Sequence, residues 1–261
     1  MLQALWVSKT ELAAQDLNLT TISNNLANVS TTGFKRDRAE FQDLLYQIRR
    51  QSGAQNTDTY KLPSGLQLGT GVRIVGTQKQ FTEGSLQTTE QPLDMAINGD
   101  GFFQILMPDG NLAYTRNGEF HLDENGQIVT ANGYPLDPAI TLPNDTQTFT
   151  VGEDGTVSVT VPGNAAAQVL GNIQTAKFIN PTGLQAMGNN LFSETASSGA
   201  PQTGTPGLNG LGTVLQNTLE NSNVSTVEEL VNMITTQRAY EMNSKVISTA
   251  DQMLSFITQN L

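Results

Sequence analysis

Amphipathic helix patterns occupy both ends of the chain, and strand and turn patterns fill nearly everything between them, which restricts the possible folds more than any other feature. Near the N-terminus Leu5, Leu12, Leu19 and Leu26 recur every seventh residue, with Leu2, Ile22 and Val29 flanking the stripe. Near the C-terminus Val224, Val227, Val231, Ile234, Met242, Val246, Ala250, Met253, Ile257 and Leu261 follow a three-four spacing. A helix with one apolar stripe must bury it, and for each end the nearest partner is the other end. The pattern predicts a mixed fold: a central all-β domain, rich in β-meander, flanked by long N- and C-terminal α-helices that pair as a coiled coil.

The predicted boundaries follow from local chemistry. Residues 1–30 form the N-terminal helix, weakened at Ser23-Asn24-Asn25, where short polar side chains compete for backbone hydrogen bonds, and closed by turn chemistry at Ser30-Thr31-Thr32-Gly33. Residues 31–71 are a connecting segment. A short helix there has Phe41, Leu44, Leu45 and Ile48 on one face, and a long polar loop runs through Pro63-Ser64-Gly65 to Gly69-Thr70-Gly71. Residues 72–212 form the β domain, residues 213–224 the return connection, and residues 225–261 the C-terminal helix. Ser225 and Glu228 make a capping box at its start, and Arg238 interrupts its stripe.

Within the β domain, Asp109-Gly110, Asn117-Gly118, Asn125-Gly126 and Asn132-Gly133 recur every seven or eight residues and read as two-residue hairpin turns. Alternating segments between them predict short strands. Further strands are expected at Val72 to Val75, Phe149 to Val151, Val157 to Val161, Gln168 to Leu170 and Ala176 to Ile179.

Composition then removes whole classes of function. A net charge of -11 argues against a nucleic-acid surface, and Lys35-Arg36-Asp37-Arg38, the one local basic cluster, reads as a solvated face. The absence of cysteine excludes disulfides, thiolate metal sites and cysteine nucleophiles. No stretch approaches the roughly 20 apolar residues of a membrane span, so the chain is not membrane-inserted, and the N-terminus lacks the pattern of a cleaved secretory signal. His121, the only histidine, sits in a predicted strand without a nucleophile motif and has a structural or exposed role. Asp123-Glu124-Asn125-Gly126 lacks the acid spacing of a calcium loop and is a turn. No cofactor, metal or catalytic residue is expected. Trp6 is either an exposed anchor for a neighbouring molecule or the edge of the stripe.

Three segments carry a resemblance. Ser23-Asn24-Asn25-Leu26-Ala27-Asn28-Val29-Ser30-Thr31-Thr32-Gly33-Phe34-Lys35 resembles the N-terminal signature of the bacterial flagellar axial proteins, the rod and hook family. Leu93 to Phe103 and Tyr114-Thr115-Arg116-Asn117-Gly118 resemble its central β-domain motif, and Val231 to Glu241 resembles its C-terminal helix. Within the family, Leu62 to Arg73 and Asn180 to Pro201 are most similar to the distal-rod type. The alternatives are a proximal-rod or hook-type subunit or, from another class, a secreted β-rich carbohydrate-binding protein.

The resemblance implies a structural subunit, not an enzyme, that polymerises into a helical tube, transmits torque from motor to hook and encloses an export channel. Implied partners are copies of itself, proximal rod proteins, hook protein, the P-ring and L-ring proteins and the flagellar type III export apparatus; the implied location is the periplasm, in the basal body. Packing and polymerisation are expected to use Leu5, Leu12, Leu19, Ile22, Leu26, Val227, Val231, Ile234, Met242, Val246, Met253 and Ile257. Contacts between subunits are expected at Trp6, Asn24, Asn25, Asn28, Phe34, Arg238 and Tyr240. Tyr60, Leu62, Pro63 and Gly65 are expected to belong to a rod-specific loop.

Overall fold

The computed structural model describes residues 2–52 and 64–259. Its contacts divide the chain into a helical unit (residues 1–27, 37–78 and 225–261) and a β unit (residues 28–36 and 79–224). The helical unit thus takes in Asp37–Gln78, and the segment just after the first helix belongs to the β unit.

Both terminal helices form where the periodicity places them: α1 spans Leu2–Ala27 and α2 spans Thr226–Gln259, with Ser225 immediately before its first turn. Asn18 Nδ2 donates to Thr236 Oγ1 at 3.1 Å, so the last turns of α1 lie beside the first turns of α2. The face that α2 packs inward is not the predicted stripe. Glu229 and Thr236 are buried and Met233, Asn243, Ile247, Ala250 and Leu254 half-buried, whereas Val227, Val231, Ile234, Met242, Val246 and Met253 are exposed, Val227 by 73%. The inward row repeats by sevens through Glu229, Thr236, Asn243 and Ala250. On α1, Ser8, Ala14, Ile22 and Asn25 are buried, while Leu5, Leu12, Leu19 and Leu26 are half-buried at the margin. Small and hydroxyl-bearing residues allow close approach and a cross-helix hydrogen bond, so this seam mixes polar groups such as Glu229 and Thr236 with apolar ones such as Ile22 and Ile247, where a coiled coil's would be apolar throughout. The Ile257 side chain lies outside the described residues.

The segment after α1 departs from expectation. Where a short helix was expected, the chain forms strands Asp37–Asp43 and Tyr46–Arg50. The first pairs with Val72–Lys79, and the second forms an antiparallel hairpin with Leu66–Gly69, inside what read as a polar loop. Apolar residues at Phe41, Leu44, Leu45 and Ile48 fit a helical face, but a run this short does not separate helix from strand. Tyr60, Leu62 and Pro63 lie outside the described residues; Gly65 is within them.

In the β unit a six-stranded antiparallel sheet runs in the order Gln185–Gly188, Leu191–Ser193, Leu112–Thr115, Phe102–Leu106, Thr175–Lys177, Gln202–Gly204. It is not a simple meander, because strands far apart in the chain become neighbours. Successive side chains point to opposite faces of a strand, and on the four central strands both faces are covered. Phe103, Ile105, Ala113 and Leu191 join one core with Met95, Ile97, Phe120, Ile128, Val157 and Ile173. Phe102, Tyr114, Ala176 and Phe192 join another with Phe178 and Leu184. Edge-to-face aromatic pairs fix both: Phe103 on Phe120 at 5.3 Å and Tyr114 on Phe178 at 4.7 Å between centroids.

The Asn-Gly turns behave less uniformly than their sequence. Asp109-Gly110 turns the hairpin between Phe102–Leu106 and Leu112–Thr115, and Asn125-Gly126 turns the one between Phe120–Leu122 and Ile128–Thr130. Asn117-Gly118 joins strands of different sheets. In the hairpin turns only the glycine has positive φ (Gly110 81°, Gly126 75°), so these are type I turns ending in a left-handed glycine, not two-residue primed turns. Strands at Thr148–Val151, Thr156–Val161 and Asn164–Asn172 do form a true meander.

Burial pushes the Tyr114 hydroxyl up to about 12, helped by the carboxylates of Glu194 and Asp137. The folded state therefore holds this proton more tightly than the unfolded chain, whose tyrosine titrates near 10. The resulting stability is intact below pH 10 and is lost between pH 10 and about 12. Tyr114→Phe should flatten that alkaline limb in urea midpoints followed by circular dichroism; equal alkaline slopes for variant and wild type would show that Tyr114 contributes nothing to it.

Candidate functional site

Two features of the molecule demand a functional account, one in each unit. In the β unit, three charged side chains are buried together. Lys35 Nζ lies 2.5 Å from Glu220 Oε1, and Arg116 Nε lies 3.0 Å from Glu220 Oε2; all three residues are at most 5% exposed. Lys35 Nζ also donates to the Thr82 carbonyl at 2.8 Å, Arg116 donates to the carbonyls of Gly99 (2.8 Å) and Gly101 (2.9 Å), and the Gly84 amide donates to Glu220 Oε1 at 2.9 Å. One carboxylate thus holds two cations. Burial pulls the Lys35 ammonium below the usual lysine range, Glu220 pulls it back up, and the Arg116 cation lowers it again. Lys35, read from sequence as part of a solvated face, is instead among the most buried residues of the molecule.

Backbone packing reinforces the cluster. The Gly33 amide donates to the Glu220 carbonyl at 2.8 Å, and Gly33 has φ +68°. A Cβ on Gly33 would fall 2.6 Å from the Asn117 nitrogen and 2.7 Å from the Arg116 carbonyl carbon, so only glycine fits. Thr32 Oγ1 donates to Asn117 Oδ1 at 3.0 Å, and the Arg36 amide donates to Asn223 Oδ1 at 2.8 Å. The chain that has just left α1 is therefore bound to the chain about to enter α2, with Arg116 of the β sheet closing the clasp. The sequence pattern alone does not reveal this site. Its only trace was that Gly33-Phe34-Lys35, Thr115-Arg116-Asn117 and the approach to Ser225 all lay in or near segments of recognisable pattern.

The second feature is the outward face of α2 described above. Of the residues expected to contact neighbours, Trp6, Asn24, Arg238 and Tyr240 are exposed, and the Lys9 ammonium lies 5.3 Å from the Trp6 ring centre. Asn25 is not available: it is buried, donating to the Asp37 carbonyl at 2.8 Å and accepting from the Asp37 amide at 2.9 Å. Asn28 is half-buried and accepts from Thr31 Oγ1, and Phe34 is half-buried with the Lys79 ammonium 5.1 Å from its ring centre. The hairpin beyond Asp43 exposes Leu45 by 88%, with Tyr46, Ile48 and Leu66 also open to solvent.

Comparison with known proteins places these features. Three family models match: "Flagella basal body rod protein" over residues 10–35, "Flagellar hook protein FlgE/F/G D1 domain" over residues 96–159, and "Flagellar basal body rod FlgEFG protein C-terminal" over residues 215–260. Each matched region supplies one member of the ion cluster: Lys35, Arg116 and Glu220 in turn. Among relatives, the flagellar basal-body rod protein FlgG of Buchnera aphidicola (from Schizaphis graminum) is 54% identical over 99% of this chain and 100% of its own length. FlgG of Borreliella burgdorferi is 48% identical over 100% of this chain and 99% of its own, and that of Bacillus subtilis 37% over 97% of each.

The clasp makes an asymmetric prediction. Glu220→Gln leaves two buried cations without a carboxylate and should cost about 3–5 kcal/mol of stability. Lys35→Met leaves the neutral Glu220–Arg116 pair intact and should cost clearly less. Urea unfolding of the two variants decides the matter, and equal losses would refute this charge balance.

Proposed function

The chain belongs to the family of flagellar basal-body rod proteins, and on that premise we propose that it is a structural subunit of the distal rod which polymerises through the outward face of α2. The family builds a rod and is not a family of enzymes. The carrying observation is the exposed apolar stripe Val227, Val231, Ile234, Met242, Val246 and Met253, on a helix eight residues longer than α1. A stripe of this kind is stable in water only when covered, and a second copy of the same chain offers both the complementary stripe and the exposed Trp6 and Leu17 of α1. If one copy's α2 meets a different face of the next, the contact repeats without closing and generates a helical tube.

Two observations support the assignment of layers in that tube. Among the described residues, α2 exposes a series of large apolar side chains along one helix, from Val227 to Phe256. The β unit carries most of the excess acid, its basic residues being only Lys35, Arg36, Lys79, Arg116 and Lys177, two of which the clasp consumes. Like-charged β units repel one another, which favours contact through the helices and an outward position for the β unit. By the same reading the tube transmits torque and encloses the export channel. Its partners are the proximal rod and hook subunits, the surrounding P-ring and L-ring proteins and the type III export apparatus, and its place is the periplasmic part of the basal body.

Ile234→Asp and Met242→Asp test the proposal, because both positions are exposed and the variants should keep the monomer's helical content by circular dichroism. Wild type should form tubes in negative stain as concentration rises, and each variant should need about tenfold more protein or fail altogether, as a penalty near 1.4 kcal/mol per contact dictates. Tubes formed by both variants at the wild-type concentration would rule out this face.

A further inference from the structure

The chain contains five Asn-Gly dipeptides, at Asn98, Asn117, Asn125, Asn132 and Asn209, all in the β unit. Asparagine followed by glycine is the pair most prone to spontaneous deamidation, because no Cβ shields the glycine amide nitrogen that attacks the side chain. Four of the five are held in ways that obstruct this attack. The Gly99 amide donates to Glu83 Oε1 at 2.8 Å. The Gly126 amide donates to the Asp123 carbonyl at 2.9 Å, with Asn125 tied to the Asp123 carboxylate, and the Gly133 amide donates to the Thr130 carbonyl at 2.8 Å. Asn117 accepts from Thr32 Oγ1 and the Glu119 amide through its carboxamide oxygen. The Gly118 that follows is buried so tightly that a Cβ there would overlap the Met95 carbonyl.

Asn209 differs from all of them. Both Asn209 and Gly210 are exposed, and among the described residues neither the Asn209 carboxamide nor the Gly210 amide has a hydrogen-bond partner. We infer that Asn209 is the molecule's spontaneous deamidation site, a covalent modification that needs only water. The Gly210 nitrogen loses its proton and bonds to Asn209 Cγ, the Cγ–Nδ2 bond breaks and ammonia departs, leaving a five-membered cyclic imide. Water then opens one or other imide C–N bond, giving aspartate or, through the side-chain route, isoaspartate.

The surroundings turn this chemistry into a structural event. The loop is closed by the Gly207 amide on the Gly212 carbonyl (3.1 Å) and anchored by the Gly212 amide on the Asp100 carbonyl (2.7 Å). Gly212 cannot shift inward, since a Cβ on it would already lie 2.4 Å from the Asn98 carbonyl oxygen. Isoaspartate lengthens the loop backbone by one methylene at a point where one end is fixed. Either product adds a carboxylate next to Gly210, whose carbonyl accepts from Lys177 Nζ at 3.2 Å, so that it competes with Asp100 for the same cation, now 2.8 Å away. Loosening should therefore reach the neighbouring edge strand, Gln202–Gly204.

The test is peptide mapping by mass spectrometry of the full chain aged in mildly alkaline buffer, native and in urea. In the native protein Asn209 should convert roughly tenfold faster than any other of the five, because the protected sites react only through local opening. In urea the five rates should converge. Asn209→Gln should abolish the fast phase of ammonia release from the native chain. Faster conversion at another asparagine, equal native rates, or a fast phase that survives Asn209→Gln would each overturn the inference.

Discussion

The Glu220 carboxylate is the interaction on which the rest of the β unit's closure depends. It pairs with both the Lys35 and the Arg116 cation, and it draws together stretches of chain separated by more than a hundred residues on the Lys35 side and again toward Arg116. A buried charge group of this kind is weak evidence for stability, because desolvation offsets much of the attraction. Its demand is one of geometry: residues 28–36 must lie where Lys35 Nζ reaches both Glu220 Oε1, at 2.5 Å, and the Thr82 carbonyl, at 2.8 Å. Gly33 applies the same restriction sterically, through the space it leaves for Arg116 and Asn117.

The outlines of the fold were legible in the sequence because helix caps, turn dipeptides and strand alternation are local signals. Ser30 to Gly33 ends the first helical region, Ser225 precedes the second, and the strands at Val157 and Phe149 lie where alternation placed them. The errors came where the deciding partner was distant. Phe41 to Ile48 pattern as a helix face, yet Val72–Lys79 and Leu66–Gly69 supply the strands they pair with. Lys35 resembled a surface charge because its counterion lies far along the chain. Asn25 looked like a flaw in a helix and is instead a two-way bond to the Asp37 backbone.

The most instructive departure concerns α2. Hydrophobic periodicity found the helix, but its apolar stripe, expected to serve both helix pairing and polymerisation, is exposed in the single chain. Within one chain the less exposed row of α2 runs through Glu229, Met233, Thr236, Asn243, Ile247 and Leu254, and the stripe of Val227, Val231, Ile234, Met242, Val246 and Met253 faces water. A pattern of this sort reports what must be covered, without saying whether the cover is intramolecular.

The small and polar residues in the seam between α1 and α2 have a mechanical corollary. Interlocked leucines resist axial sliding because every knob must leave its hole before it finds another. A seam in which Ser8, Ala14, Thr236 and Ala250 stand among larger residues such as Ile22 and Ile247, with the Asn18–Thr236 hydrogen bond as a specific tie, has fewer such interlocks along the helix axis. Breaking that tie forfeits only about 1 kcal/mol, and hydroxyl and amide groups find substitute partners after a small slip. Such a helix pair can take up a small axial slip within its own contact without a large change in energy.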